Sequence, residues 1–471
     1  MTPMTGTPRR AALALCCLLL STLAGAQTAA RRSAPSAPGG RRVVLISIDG
    51  MASGYLARAD ALGLAIPNLR RLQREGTTAE AALSVMPSVT YPAHVTLITG
   101  VNPNRHGITA NDVLDPLDPG QTRGEGAHLF YDDITARTLF DAVRAQGGTS
   151  AAVWWPVTAG APIDFNFPDF DAPTLKDVRL LLRFSSPEAR ALIGAPETLI
   201  GAGDDTELDA LRTRIAIAFL QHRPRLLAMH LIALDTASHR HGPYSPEALA
   251  ALESDDRHLG TLLAAIQAAG LRDDTTIVLT SDHGFVRVER QVGLGVLFAA
   301  LGLLTVDDQD KLASWAAYPW SDGGAAAIYL TPSAPPATAA RVDRVLDLLR
   351  SFPDYGVHRI YRGADLVRLQ GYPGAYAALD TEPGFTFSGK LFGPVVSPTP
   401  LRGVHGQAPD RPEVFACLVI RGPGVRGGAR IPAVRLLDVA PTIARILGLD
   451  LGGQVQGRVL DEVFAAQEKT P

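Results

Sequence analysis

Val43-Val44-Leu45-Ile46-Ser47-Ile48-Asp49-Gly50 is the stretch that decides the fold. Its six leading residues are apolar except Ser47, and Asp-Gly closes the run. A strand covered on one side alternates apolar and polar residues, whereas a continuous apolar run marks a strand buried on both faces. Similar runs recur at 226–234 and 276–280. Between them, Leu249, Leu252, Leu259, Leu262, Leu263 and Ile266 fall near a 3.6-residue period within 246–269, and Gly270 ends the pattern. Strands alternating with helices predict an α/β fold whose mainly parallel sheet is covered on both sides. Asp49, Asp235 and Asp282 each follow the last apolar residues of a predicted strand, the place where such sheets collect their ligands.

The chain has 471 residues, 46% hydrophobic and 19% charged, enough for a large core and an insertion. Residues 1–26 have the parts of a secretory signal: Arg9 and Arg10, an apolar stretch over 11–20, and Ala24-Gly25-Ala26 as a small-residue exit. That stretch falls short of the roughly 20 residues that cross a bilayer, so an exported protein, periplasmic or extracellular, is expected and a stable membrane span is not. Residues 27–41 read as a flexible lead and 42–465 as the catalytic domain. Cys16 and Cys17 lie in the signal, leaving only Cys417 and no intrachain disulfide. A net charge of −3 gives no sign of a nucleic-acid-binding surface. Between about 290 and 400 the pattern changes, with turns at Ser321-Asp322-Gly323-Gly324, a proline-rich link over 332–336 and a short amphipathic helix over 341–349. This reads as a small α/β insertion or cap. The chain returns to the main sheet over 414–420, and a last helix begins near Pro441.

Four short motifs carry candidate chemistry. Met86-Pro87-Ser88-Val89-Thr90-Tyr91-Pro92 leads into an apolar helical segment, which puts Thr90 at or near a helix N-terminus, where free amides and the dipole favour an anion. By itself this also describes a helix cap. Asp235-Thr-Ala-Ser-His239 sets a carboxylate and an imidazole four residues apart at a strand-to-loop junction, a spacing shared by surface ion pairs. Ser281-Asp282-His283-Gly284 has adjacent metal-ligand types on a tight turn. Gly403-Val404-His405-Gly406 holds a histidine between glycines that let the backbone bend close to a metal. The order of these residues suggests a two-metal hydrolase with a threonine activated by metal.

Taken together, an early Asp after the first strand, a Thr at a helix start, two Asp/His pairs and a late glycine-flanked His resemble the alkaline phosphatase superfamily. Within it, they resemble the type I phosphodiesterase and nucleotide pyrophosphatase family. The resemblance runs from Val43 to about Val463 and includes the closing segment 438–448. It implies a three-layer, alkaline-phosphatase-like sandwich and two zinc ions. One would be held by Asp235, His239 and His405, the other by Asp49, Asp282 and His283, with Thr90 Oγ on the second. Asn111, in His106-Gly-Ile-Thr-Ala-Asn111, matches the residue whose amide binds a nonbridging phosphate oxygen. Two metals roughly 4 Å apart stabilise both the attacking and the departing oxygen of an in-line displacement. The implied route is displacement by Thr90 through a phosphothreonine intermediate. Tyr91 stands where the family uses an aromatic ring beside the base or leaving group. Of the adjacent Trp154 and Trp155, strand alternation turns one outward, and Trp155 is expected to line the approach. The chain departs from the family where Ala93, in place of asparagine, precedes His94.

Threonine-based monoesterases of the superfamily add a Lys-x-Arg pair that grips the extra charge of a monoester. None of the lysines, Lys176, Lys311, Lys390 and Lys469, has an arginine two residues on. This favours a small-molecule phosphodiester or nucleotide substrate over a phosphomonoester; phosphonate hydrolases share the metal set. Sulfatases need Cys or Ser followed by Pro and Arg, where this chain has Thr90-Tyr91-Pro92-Ala93. A metal-stabilised binding protein would lack a ligand or the nucleophile, and the sequence lacks neither.

Overall fold

The computed structural model describes residues 40–113, 127–170, 174–195, 199 and 205–465. The candidate signal 1–26 and nearly all of the lead 27–41 lie outside the described residues. The opening stretch forms strand β1, Arg42–Ile48, with every residue after Arg42 buried. It lies in an eight-stranded sheet with β2 (Thr77–Ala79), β3 (Ser150–Val153), β4 (Phe165–Phe167), β5 (Leu226–Leu231), β6 (Thr275–Thr280), β7 (Leu418–Arg421) and β8 (Ala429–Ile431). The order is β8-β2-β7-β6-β1-β5-β3-β4. The five strands from β6 to β4 run parallel. Strand β7 runs antiparallel to both β6 and β2.

Alternate side chains of β1 feed two separate cores, Val44, Ile46 and Ile48 into one and Val43 and Leu45 into the other. The first core is closed by Leu69 and Leu72, by Ile215 and Phe219 of helix α2 (Asp205–Leu220), and by Leu252, Leu259, Leu262 and Ile266 of helix α4 (Pro246–Ala268). The second is closed by Leu97 and Ile98 of helix α1 (Thr90–Thr99) and by Ile443, Ile446 and Leu447 of the helix Val439–Leu447. Helices on both faces of a mainly parallel sheet make the three layers of an alkaline-phosphatase-like fold.

The apolar run at 226–234 is not all strand. Strand β5 ends at Leu231, and helix α3, Ala233–His241, begins two residues later. Between about 290 and 400 a four-stranded antiparallel sheet forms from Ala317–Asp322, Ala325–Leu330, Val357–Tyr361 and Ala377–Thr381, with the helix Ala337–Ser351. Its core holds Trp320, Tyr329 and Tyr372 together with Met86 and Ala110, residues that flank the Thr90 segment. Among the described residues no helix is long and apolar enough to cross a membrane.

Candidate metal centre

Strands β5, β1 and β6 are neighbours, and Ser47 pairs with both His230 and Thr280, so their carboxyl ends lie side by side. Parallel pairing therefore brings Asp49 and Asp282, and Asp235 just inside helix α3, to one edge of the sheet. Gly50, at φ +69°, turns the chain directly after Asp49, and a Cβ there would lie 2.4 Å from the Phe285 ring, so only glycine fits.

Asp235 and His239 sit on helix α3 rather than at a strand-to-loop junction. Four residues apart, they share one helix face, with Oδ2 and Nε2 3.5 Å apart. Asp209 of helix α2 secures the start of α3 by accepting from the amides of Ile232 and Ala233, and it pairs with Arg212 at 2.5 Å. His405 reaches the same place from the other end of the sequence. Its Nε2 lies 3.2 Å from His239 Nε2 and 3.8 Å from Asp235 Oδ1. The segment before Thr90 is fastened to this loop: Ser88 pairs with Gly406, and its carbonyl accepts from His405 Nδ1 at 3.1 Å. A Cβ on Gly406, at φ +109°, would lie 2.2 Å from the Asp322 carbonyl, so this glycine lets the insertion close over the loop.

A second set adjoins the first. His283 Nε2 lies 3.1 Å from Asp282 Oδ2 and 3.5 Å from Asp49 Oδ1, and its ring stacks on His405 at 3.6 Å. Two groups of potential ligand atoms fall within 4.8 Å of one another: Asp235, His239 and His405, and Asp49, Asp235 and His283. Asp235 thus belongs with His239 and His405 while also reaching the second set, and Asp282 joins through its contact with His283.

The donor set fits metal ions. His239, His283 and His405 each turn Nδ1 to a backbone carbonyl, of Gly403, Gly284 and Ser88. A carbonyl only accepts, so the proton is on Nδ1 and each Nε2 points a lone pair into the site. The Nε2 atoms of His239 and His405 therefore face each other with nothing to share, as two ligands of one cation do. Asp49 Oδ1, Asp235 Oδ1, Asp282 Oδ2 and His283 Nε2 are buried without hydrogen-bond partners. Buried polar atoms are rarely left so unless an ion satisfies them.

The electrostatics agree. Burial, with Asp282 and Asp235 close by, pushes the Asp49 carboxyl well above its usual range. Burial also raises Asp235, against the pull of His239 and His283. For Asp282, burial is outweighed by His283 and His94, which hold the carboxyl low. Burial and the neighbouring His283 and His239 press His405 well below the ordinary histidine value. Among the protein's own groups, burial and crowding disfavour the ionised forms of Asp49 and Asp235, while the Asp282 carboxylate raises the neighbouring His283; a divalent cation among them would favour the carboxylate and neutral imidazole forms that ligate it.

Thr90 is the first residue of helix α1, and Val89, not Thr90, is the capping position. His94 Nδ1 donates to the Thr90 carbonyl at 2.8 Å and lies 3.7 Å from Asp282 Oδ2, which ties the helix start to the ligand cluster. Asn111 turns its Oδ1 to the Tyr91 amide at 2.9 Å, committing its own NH2 group to the opposite side. Tyr91 is largely buried, with Val95, Ile108 and Val157. Trp155 does not line the approach. It is fully buried, packs among Leu97 and Phe140, and meets His94 edge-on at 4.9 Å. Alternation does not apply to it because β3 ends at Val153 and Trp154 takes φ 55°, which turns the following residue inward.

Residues that pattern reading passes over also shape the centre. Phe285 sets its edge against His239, His283 and His405. His94 and His230, both fully buried, stand side by side beneath Asp49 and Asp282 with ring centres 4.2 Å apart. Their one sequence signal is a polar residue inside a buried apolar run, His230 in β5 and its register partner Ser47 in β1, and Ser47 Oγ meets His94 Nε2 at 2.9 Å.

Comparison with known proteins places the chain by family and fold. The chain is 26% identical to venom phosphodiesterase 2 of Crotalus adamanteus over 255 residues, 52% of this chain and 27% of the relative. It is 24% identical to human ectonucleotide pyrophosphatase/phosphodiesterase family member 5 over 259 residues, 54% of this chain and 47% of that one. The chain thus spans about a quarter of the venom enzyme's length and about half of the human protein's. Among solved structures, murine ectonucleotide pyrophosphatase/phosphodiesterase 5 superposes with a TM-score of 0.62 at 19% identity, covering 90% of this chain and all of that one. A second structure of the murine protein, an inactive threonine-to-alanine variant in complex with AMP, superposes equally well, with the same TM-score of 0.62. Residues 43–363 match the family described as type I phosphodiesterase / nucleotide pyrophosphatase, and the chain belongs to that family.

Proposed function

We propose that the protein is an exported, two-zinc hydrolase that cleaves phosphodiester or nucleotide pyrophosphate bonds with Thr90 as nucleophile. The observation that carries this reading is the convergence of unpartnered ligand atoms on Asp49, Asp235, Asp282 and His283 beside a threonine at a helix N-terminus. Asp235, His239 and His405 would hold one ion and Asp49, Asp282 and His283 the other. When bound, the ions supply Lewis acidity for the nucleophile and for the departing oxygen.

The chain's own groups do the rest. Thr90 Oγ forms the bond to phosphorus as the bond to the leaving oxygen breaks, and water then releases the phosphoryl group from Thr90. The Thr90 amide, the one N–H left at the start of helix α1 once Tyr91 donates to Asn111 and Pro92 has none, and the Asn111 NH2 group bind the nonbridging oxygens, where charge builds up in the transition state. The Tyr91 amide fixes Asn111 for that task. Tyr91 forms the wall beside the leaving group. The names of the venom relatives and the AMP complex of the murine neighbour support a nucleotide-sized diester substrate, and the absent Lys-x-Arg pair argues against a monoester. The N-terminal segment supports export.

Rates with bis-p-nitrophenyl phosphate, p-nitrophenyl phosphate and a dinucleoside polyphosphate test the substrate class. Higher kcat/KM for the diester and the polyphosphate is expected. A strong preference for p-nitrophenyl phosphate would overturn the diesterase reading.

A further inference from the structure

We propose that His230 is a positioning residue that holds Asp49 as a one-oxygen ligand of the buried metal ion. The inference rests on the reading that this centre binds metal. Each inner carboxylate has one oxygen engaged and one bare. Asp282 uses Oδ1 to accept from the amides of Gly50 and His283, at 3.2 and 3.0 Å, and leaves Oδ2 unpartnered. Asp49 leaves Oδ1 unpartnered in the same way, but the partner of its Oδ2 is His230 Nε2 at 2.9 Å. Backbone amides do for Asp282 what one imidazole does for Asp49.

The imidazole is held on every side. His230 is completely buried in β5, in register with Ser47 two residues before Asp49. Its Nδ1 donates to the Trp154 carbonyl at 3.1 Å, so the Nε2 contact with Asp49 Oδ2 is made through a second proton that the two side chains share. That carbonyl belongs to a residue at φ 55°, a conformation uncommon for a non-glycine residue, whose indole lies 4.4 Å from the Arg212 guanidinium. Arg212 in turn pairs with Asp209, the group that secures helix α3. His94 packs against the His230 ring and Trp155 against His94. Among the described residues no third ligand atom gathers with Asp49 Oδ2 and His230 Nε2, so the contact is a hydrogen bond and not a further ion site. Freed of it, the Asp49 carboxylate could rotate or present both oxygens, and the inner ion would lose its fixed geometry.

Metal titration of the stripped protein, by calorimetry and by chelator competition, tests this in wild type and three variants. His230→Phe removes both ring nitrogens. His230→Asn reaches the Trp154 carbonyl but falls short of Asp49, and His230→Gln places an NH2 group near the lost Nε2. Two ions are expected in the wild type. In the Phe and Asn variants one ion should bind about 10–100-fold more weakly while the other is unchanged, and kcat should fall with little change in KM. The Gln variant should recover to within about threefold of wild type. If His230→Phe does not fold, the contrast of Asn with Gln carries the test. Wild-type affinity in the Phe or Asn variant, or a Gln variant as weak as Asn, overturns the proposal. A third ion in the wild type that the variants lose would also overturn it, because His230 would then be a ligand. A wild type that binds no zinc would instead refute the functional reading.

Discussion

The two halves of the metal centre are built differently. Asp49, Asp282 and His283 stand at the ends of neighbouring strands, with side chains 0–3% exposed, held from below by backbone amides and buried imidazoles. Asp235, His239 and His405 come from a helix and a distant loop, and their side chains are 13%, 29% and 10% exposed. One half inherits its geometry from the sheet, and the other must be assembled across the fold. The inner half is therefore the enclosed one, tied through His94 to the start of helix α1 at Thr90, and the outer half is the side more open to solvent.

Removing a ligand from each half is the harshest way to break this contrast. Asp282→Ala deletes a buried ligand and the acceptor for two amides, and kcat/KM is expected to fall at least about 10³-fold with no recovery in excess zinc. His239→Ala opens an already part-exposed position, so millimolar zinc should restore part of its activity by mass action. Equal recovery of both variants would erase the distinction. A gentler probe is brief exposure to dilute chelator followed by metal analysis. The outer ion should leave first, giving a plateau near half of the initial metal content; smooth loss of both ions together would count against separate environments.

The stripped protein should also show opposite pH responses from Asp49 and His405, one ligand of each half. Asp49 is raised above its unfolded value, so its contribution to stability falls as pH climbs from about 4 through the raised pKa. His405 is depressed below its unfolded value, so its contribution rises as pH climbs to about 6.5. In chelator, Asp49→Asn should lessen the decline, of which Asp235 keeps a share, and His405→Asn should lessen the rise, as read from Tm across pH 4–8. The smallest effect is expected at Trp155→Phe. Loss of buried volume against His94 should cost about 1–2 kcal/mol of stability while KM stays within about twofold of wild type.

Much of this centre was legible in the sequence, for reasons that differ by residue. Asp49 and Asp282 were readable because apolar runs mark strands and parallel sheets gather ligands at strand ends. The four-residue spacing of Asp235 and His239 held a helical signal that the apolar run at 226–234 obscured, since periodicity cannot show where a strand gives way to a helix. His405 offered only its flanking glycines, and what brings it to the site is Ser88, more than three hundred residues earlier, through contacts that no local pattern encodes. Trp155 escapes the alternation rule because its strand ends at Val153 and Trp154 turns the chain. His230 was passed over because a single polar residue in a buried run looks like an interruption, until its register with Ser47 sets it beneath Asp49.

The most direct test of the threonine-based, two-metal account is acid quenching of the zinc-loaded protein during turnover of bis-p-nitrophenyl phosphate, followed by peptide mass analysis. The account predicts a p-nitrophenylphosphoryl group on the peptide containing Thr90, and in Thr90→Ala neither that adduct nor more than about a thousandth of the turnover. Metal-dependent turnover that persists in Thr90→Ala, with no adduct in the wild type, would contradict it.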